Sequence, residues 1–334
     1  MKVKRLTVFN SAGFGLIELM VALVLGLVIL LGVTQIATQN SATRNEIERT
    51  ASQIQNATFA LSVIENDIAN AGFWGERGEV TPGTTPPICP VDNTRLEESM
   101  GYPIQGGRGV VDCDFNTGPD TITAKAATDY LALRRASSCV LGSTGCEPAQ
   151  TGAGLGNNFH LQVHACFIQS SPDKPADSYL IATDVSTSVL RFLERDCVTP
   201  APIYRFINRI YYLNDDDELM RAELEGDKYK EQELVENVEL MRFEYGLDGD
   251  RDGQIDNFAS SVSDPNDPVW GDVAMVRVGL IVRNSQPTSG YSDERIYNFA
   301  GQNYTVPSDL KGFRRQLYIR TIGTPNIAGR RESP

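Results

Sequence analysis

Histidine is almost missing from this sequence: His160 and His164 are the two copies in 334 residues. Metal-dependent and acid–base enzymes lean heavily on histidine, and these two, with Cys166 nearby, sit in a strand pattern that matches no zinc-ligand spacing. Also lacking are a G-x-S-x-G turn, a phosphate-cradling glycine loop with its lysine, and an H-E-x-x-H pair. Those absences remove the best-marked hydrolase, nucleotide-binding and metalloprotease signatures. Positive charge is short as well, with 30 Lys and Arg against 43 Asp and Glu, a net charge of −13. Nucleic-acid binding needs clustered cations that release counterions from phosphates, so no nucleic-acid partner is expected, and the strip Arg314, Arg315 and Arg320 reads as a solvated strand face. No internal repeat or low-complexity linker marks off a second folded domain.

What is present is concentrated at the N-terminus. Lys2, Lys4 and Arg5 stand there without an acid, so removing residues 1–13 takes the net charge from −13 to −16. From Phe14 to Val33 runs a twenty-residue apolar stretch, FGLIELMVALVLGLVILLGV, with one charge, Glu18. As a helix it reaches about 30 Å, the thickness of a bilayer's hydrocarbon core. The basic cluster stays cytoplasmic, which places the rest of the chain outside the inner membrane. An ordinary secretory signal is shorter and is cut after its apolar part. Here the small-residue site, Ala12-Gly13, lies before the apolar stretch, so cleavage between Gly13 and Phe14 leaves the helix on the protein. Glu18 is costly in such a segment, roughly 2.5 to 3.5 kcal/mol on insertion scales. The amine created on Phe14 by cleavage is a cation placed to neutralise it, within one chain or between packed neighbours.

The string GFGLIELMVALVLG resembles the class III signal of type IV prepilins. That resemblance implies a prepilin peptidase that cuts after Gly13 and methylates Phe14, and an assembly role for Glu18 in docking the subunit into a fibre.

After Thr38–Arg44 the residues Ile47, Ala51, Ile54, Ala57, Leu61, Ile64, Ile68 and Ala71 recur at spacings of three and four, one face of an amphipathic helix. Asn70-Ala71-Gly72 supplies a stop. The expected element is one long helix from Phe14 to Ala71, its second half lying against a folded domain, with a dimerising coiled coil as the alternative for that half.

Residues 75–160 are rich in Gly, Pro, Thr and Asp and hold four of the six cysteines. They read as a long disulfide-tied loop region with short strands such as Asp129–Arg134. Beyond them, strands are expected over His160–Gln169, Tyr179–Thr183, Val189–Glu194, Val238–Tyr245, Val273–Arg283 and Arg315–Ile322. Ile203–Leu213 and Glu218–Leu224 are expected to pair across the acidic turn Asn214–Asp217, which reads as solvated. The fold class is α+β, with an antiparallel sheet wrapped on the C-terminal half of the long helix. The implied layout is a leader at 1–13, the helix at 14–72 with 14–33 in the membrane, and an exported domain at 73–334. AGFWG, the YYL hairpin with its LMR, DGDRDGQID and RVGLIVR resemble the PilW group of minor pilins in order and spacing, and imply a type IV pilin-like fold.

Six cysteines downstream of an export segment, none in a C-x-x-C pair, point to disulfides made in an oxidising compartment. Pairing of sequence neighbours, Cys89 with Cys113, Cys139 with Cys146 and Cys166 with Cys197, is one connectivity among many, and a free buried thiol is another reading. In Asp248–Asp256 alternating carboxylates with Gly253 at the sixth position suit a tight loop around Ca2+. Asp248, Asp250, Asp252 and Asp256 would supply side chains and Gln254 its carbonyl. Position twelve is Ala259 where an EF-hand needs Glu, so the expected site is structural, and an acidic turn without an ion is the competing reading.

The resemblance to PilW-group minor pilins implies other minor pilins, the major pilin, the peptidase and a tip adhesin as partners, and roles in pilus assembly, twitching motility and cell adhesion. Two rivals stand beside it: a pseudopilin of a type II secretion system, which shares the leader chemistry, and a membrane-anchored periplasmic enzyme.

Overall fold

The computed structural model describes residues 15–78, 80–113, 121–122, 124–146, 158–166, 178–186, 191–260 and 264–331. The chain divides into two compact units, Met1–Ala51 and Ser52–Pro334. The first unit holds the N-terminal part of α1 (Leu16–Asn70). Its apolar side chains are solvent-facing on every side, with Leu23, Leu27, Leu30 and Leu31 all between 60% and 65% exposed. Thr34 hides its hydroxyl by donating to the carbonyls of Leu30 and Leu31, so its one polar group adds little cost in an apolar surrounding.

The second unit starts with the rest of α1 and continues through α2 (Asn93–Ser99), β1 (Ile104–Arg108), β2 (Val111–Asp112), β3 (Thr121–Ile122), β4 (Asp129–Val140), β5 (His160–Val163) and β6 (Tyr179–Ala182). Then come β7 (Ile203–Leu213), β8 (Leu219–Glu225), β9 (Lys228–Val235), β10 (Val238–Leu247), β11 (Asn257–Ala259), β12 (Val273–Arg283), β13 (Ile296–Phe299), β14 (Gln302–Thr305), β15 (Arg315–Gly323) and α3 (Ala328–Arg331). All named pairings are antiparallel, as the helix-on-antiparallel-sheet reading requires, but the sheet is split. One sheet runs β1-β4-β7-β5-β6, with β8 and then β9 joined to the far half of β7; a four-stranded one runs β11-β10-β12-β15. Short ladders β2-β3 and β13-β14 flank them.

Both sheets close on the same side of α1. Ala57, Ala60, Leu61, Ile64 and Ile68 share one core with Leu131, Leu133, Tyr211, Met241, Phe243, Val276, Val278 and Leu280. The exposed half-stripe of a dimerising coiled coil is therefore not what the periodicity from Ala57 onward encodes; each fully buried Ile in it contributes about 1.5–3 kcal/mol. The helix ends where sequence placed its stop. Gly72 adopts φ +74° and donates to the Arg134 carbonyl, and a Cβ there would lie 2.9 Å from Ile327.

The described residues between 75 and 160 hold more regular structure than a tied loop with short strands. β4 is a twelve-residue central strand, and its first six residues are buried on both faces. Leu131 and Leu133 face α1 while Tyr130 and Ala132 join a second cluster with Ile210, Tyr212 and Ala222. A strand covered on both sides loses the apolar–polar alternation that announces it. Arg134, fully buried on β4, donates to the carbonyls of Tyr102, Pro87 and Ile88 and so anchors the segment that precedes β1. Burial pulls its guanidinium down to about 10. The strand expected over Val189–Glu194 is corrected: among the described residues only an isolated bridge, Leu193 to Pro200, is formed there. β5 stops at Val163, and residues 167–169 of the expected strand lie outside the described residues.

Candidate functional site

Gly13 and Phe14, the expected cleavage and methylation pair, lie outside the described residues. Immediately after them, Glu18 occupies the first turn of α1 and accepts a hydrogen bond from the Gly15 amide at 3.1 Å. A carboxylate there complements the unsatisfied amides and positive end of the helix. Around it the surface is purely apolar, with Leu16 79% and Ile17 76% exposed. A helix that is apolar all round belongs in lipid or among other helices, and α1 is long and apolar enough to cross a membrane.

The acidic loop joins β10 to β11. Asp248 is fully buried, and its Oδ2 accepts from the Gly253 amide at 3.2 Å; Asp256 accepts from the Gly249 amide at 2.8 Å. Gly253 at φ +88° makes this closure possible, since a side chain is strained in that conformation. Ligand oxygens of Asp248, Asp250 and Asp256 lie within 4.8 Å of one another. Asp252, expected in the same set, is turned away: its carboxylate accepts from the backbone and side-chain amides of Gln254, at 2.8 and 3.4 Å. Three of the four expected carboxylates thus converge.

The cysteines pair as sequence neighbours, Cys89–Cys113, Cys139–Cys146 and Cys166–Cys197. Cys166 is thereby withdrawn from any grouping with His160 and His164, both of which are buried.

Two charged features read as surface in the sequence are interior. Asp217, in the hairpin turn between β7 and β8, is 7% exposed and pairs with Lys125 and Arg283, whereas Asp215 and Asp216 are solvated as expected. Arg315 is likewise buried, paired with Glu239 at 2.6 Å, because it begins β15 beneath the β13-β14 ladder. Arg320 of the same strip is half-exposed and reaches Glu65 of α1.

A junction the periodicity did not single out is Asp67. It sits between Ile64 and Ile68 on the buried stripe of α1, is 1% exposed, and meets two strands at once. Arg209 of β7 donates to both its oxygens at 3.0 and 2.9 Å, Arg135 of β4 to Oδ1 at 3.2 Å, and the Tyr211 hydroxyl to Oδ2 at 2.5 Å. Burial works against the Arg209 cation, but Asp67 and Glu223 outweigh it and hold the group above the ordinary arginine value. A charged residue on an otherwise apolar helical face is the signal that could have found it.

Two family models match the chain: the prokaryotic N-terminal methylation motif over residues 9–34 and Type IV Pilus-assembly protein W over residues 210–326. The second match contains the acidic loop and all strands from β8 to β15. No curated protein matches the chain significantly. Among solved structures, a type IV-like pilin from Thermus thermophilus matches at 11% identity with a TM-score of 0.36, over 82% of this chain and 96% of that one. The chain thus joins a prepilin-type methylation motif at its N-terminus to a pilus-assembly W domain towards its C-terminus, two matches that together support a PilW-type pilin, a structural protein.

Proposed function

We propose that this chain is a minor pilin of the type IV pilus. It is inserted in the inner membrane with its globular unit in the periplasm, trimmed by prepilin peptidase between Gly13 and Phe14, and assembled with other minor pilins to prime the fibre. Placement near the tip, beside an adhesin and ahead of the major pilin, follows from the resemblance to PilW-group minor pilins. The observation that supports the reading is α1 itself: its start exposes apolar side chains on all sides around the single acid Glu18, while its later turns are built into the globular core. Such a start needs lipid before assembly and neighbouring helices after it. In the fibre, Glu18 would meet the methylated amine of Phe14, a charge pair that offsets the cost of burying either group alone.

The acidic loop is proposed to hold a structural Ca2+ among Asp248, Asp250 and Asp256, a hard-cation oxygen set. Its task would be mechanical, turning repulsion between crowded carboxylates into a cross-link next to β10.

Mass spectrometry of sheared fibres tests the main reading: the chain should be recovered beginning at N-methyl-Phe14. Recovery of a processed chain starting near residue 40, without the apolar segment, would overturn it. Deletion separates the rivals, with lost piliation and twitching marking the pilus and lost exoprotein release marking a type II secretion pseudopilin. Gly13→Val should leave the leader uncut by intact mass.

A further inference from the structure

Arg242 lies in the middle of β10 on the face away from α1, since its neighbours Met241 and Phe243 point into the helix-side core. It is 8% exposed, and its Nε and Nη1 are buried without a hydrogen-bond acceptor. Three carboxylates on β10 and at the start of β4 are engaged with other groups. Asp129 gives Oδ1 to Arg108 at 2.8 Å and Oδ2 to the Phe243 amide at 3.0 Å. Glu239 is held by Arg315 and the Tyr304 hydroxyl, and Glu244 by Arg277. Two guanidinium groups therefore share one acid, in a chain whose overall charge is strongly negative.

A buried cation whose donors lack acceptors, and whose nearby acid is already engaged by a second guanidinium, is among the more costly features a fold can carry. Burial and then the like charge of Arg108 pull Arg242 below the ordinary arginine value, with Asp129 and Tyr304 acting in the opposite direction. Arginine stays protonated throughout the accessible range, so the strain is electrostatic and an added anion relieves it.

We propose that Arg242, flanked by Arg108, forms an oxyanion-binding site that takes a carboxylate, sulfate or phosphate group. Planar guanidinium donors suit these oxygens. With so little of Arg242 exposed, the group that enters is small: a free ion, or one acidic side chain presented by a neighbouring chain. The site stands independently of the pilus assignment.

The test uses the full chain in detergent, melted at constant ionic strength while chloride is replaced by acetate, sulfate or phosphate. A saturable rise of about 3–6 °C at ten times the apparent Kd is expected, absent in Arg242→Met and weakened in Arg108→Gln. An equal rise in wild type and Arg242→Met is a general salt effect and refutes the site. Should Arg242→Met fail to fold, protection of wild-type Arg242 from phenylglyoxal, read by peptide mass spectrometry, replaces it. Protection by free anions identifies a free ion as sufficient; protection only in assembled fibres identifies a neighbour's carboxylate. Protection in neither leaves an ordered water as the occupant, and the proposal fails.

Discussion

Replacing Asp67 by asparagine removes one charge and almost no volume from the place where α1 meets the seven-stranded sheet. The acid is 1% exposed and is bonded by Arg209, Arg135 and Tyr211. In Asp67→Asn, Arg209 keeps only Glu223, which already serves Arg205 as well, and Arg135 loses the acid it pairs with. Breaking a buried pair by removing one member costs about 3–5 kcal/mol, because the remaining charge is left uncompensated. At about 2–4 °C per kcal/mol for a domain approaching this size, the melting temperature of the detergent-solubilised chain should fall by about 6–20 °C. Tyr211→Phe removes one hydrogen bond to a charged acceptor and should cost only about 1.5–3 kcal/mol. Because the two groups touch, the double variant should be less destabilised than the sum, by about 0.5–3 kcal/mol. Urea unfolding of the four proteins measures all three quantities. A loss under about 1 kcal/mol in Asp67→Asn would refute the claim that charge pairing, and not the Ile64 and Ile68 packing alone, anchors the helix.

Other outcomes follow from the same geometry. EDTA should lower the melting temperature and Ca2+ restore it, with Asp248→Asn insensitive to both; unchanged melting removes the metal proposal and leaves the pilin assignment intact. Breaking Cys166–Cys197, a separation of 31 residues, should cost about 4 kcal/mol on chain-entropy grounds, against about 2 for Cys139–Cys146 with its separation of 7. Single-pair serine variants compared in urea check the order. Gly72→Ala places a Cβ against Ile327 in a left-handed conformation and should cost about 2 kcal/mol or more, visible as an earlier thermal transition.

Much of the architecture is legible in local pattern. The three- and four-residue spacing names the helix face that the core receives, and VAMVRVGLIVR alternates so that Val276, Val278, Leu280 and Val282 reach the same core. Strand extent is where reading falls short: the expected strand Asp129–Arg134 is the start of β4, which runs on to Val140, and β9, mostly exposed, carries no core-facing pattern to announce it. The acidic loop shows both outcomes, since spacing selects the carboxylates but the turn of Asp252 toward Gln254 depends on a local hydrogen bond.

By itself the amino-acid order determined the features that depend on neighbours in sequence: the apolar start with its basic leader and lone acid, the helix stop at Gly72, the hairpin at Asn214, and the glycine that closes the acidic loop. The tertiary structure decided which charges are interior. Asp67, Asp217, Arg315 and Arg242 are ordinary polar letters until strands distant in the chain enclose them. Whether a charge is solvated, paired or left wanting an anion is a property of the space around it, and that space is assembled from residues far apart in sequence.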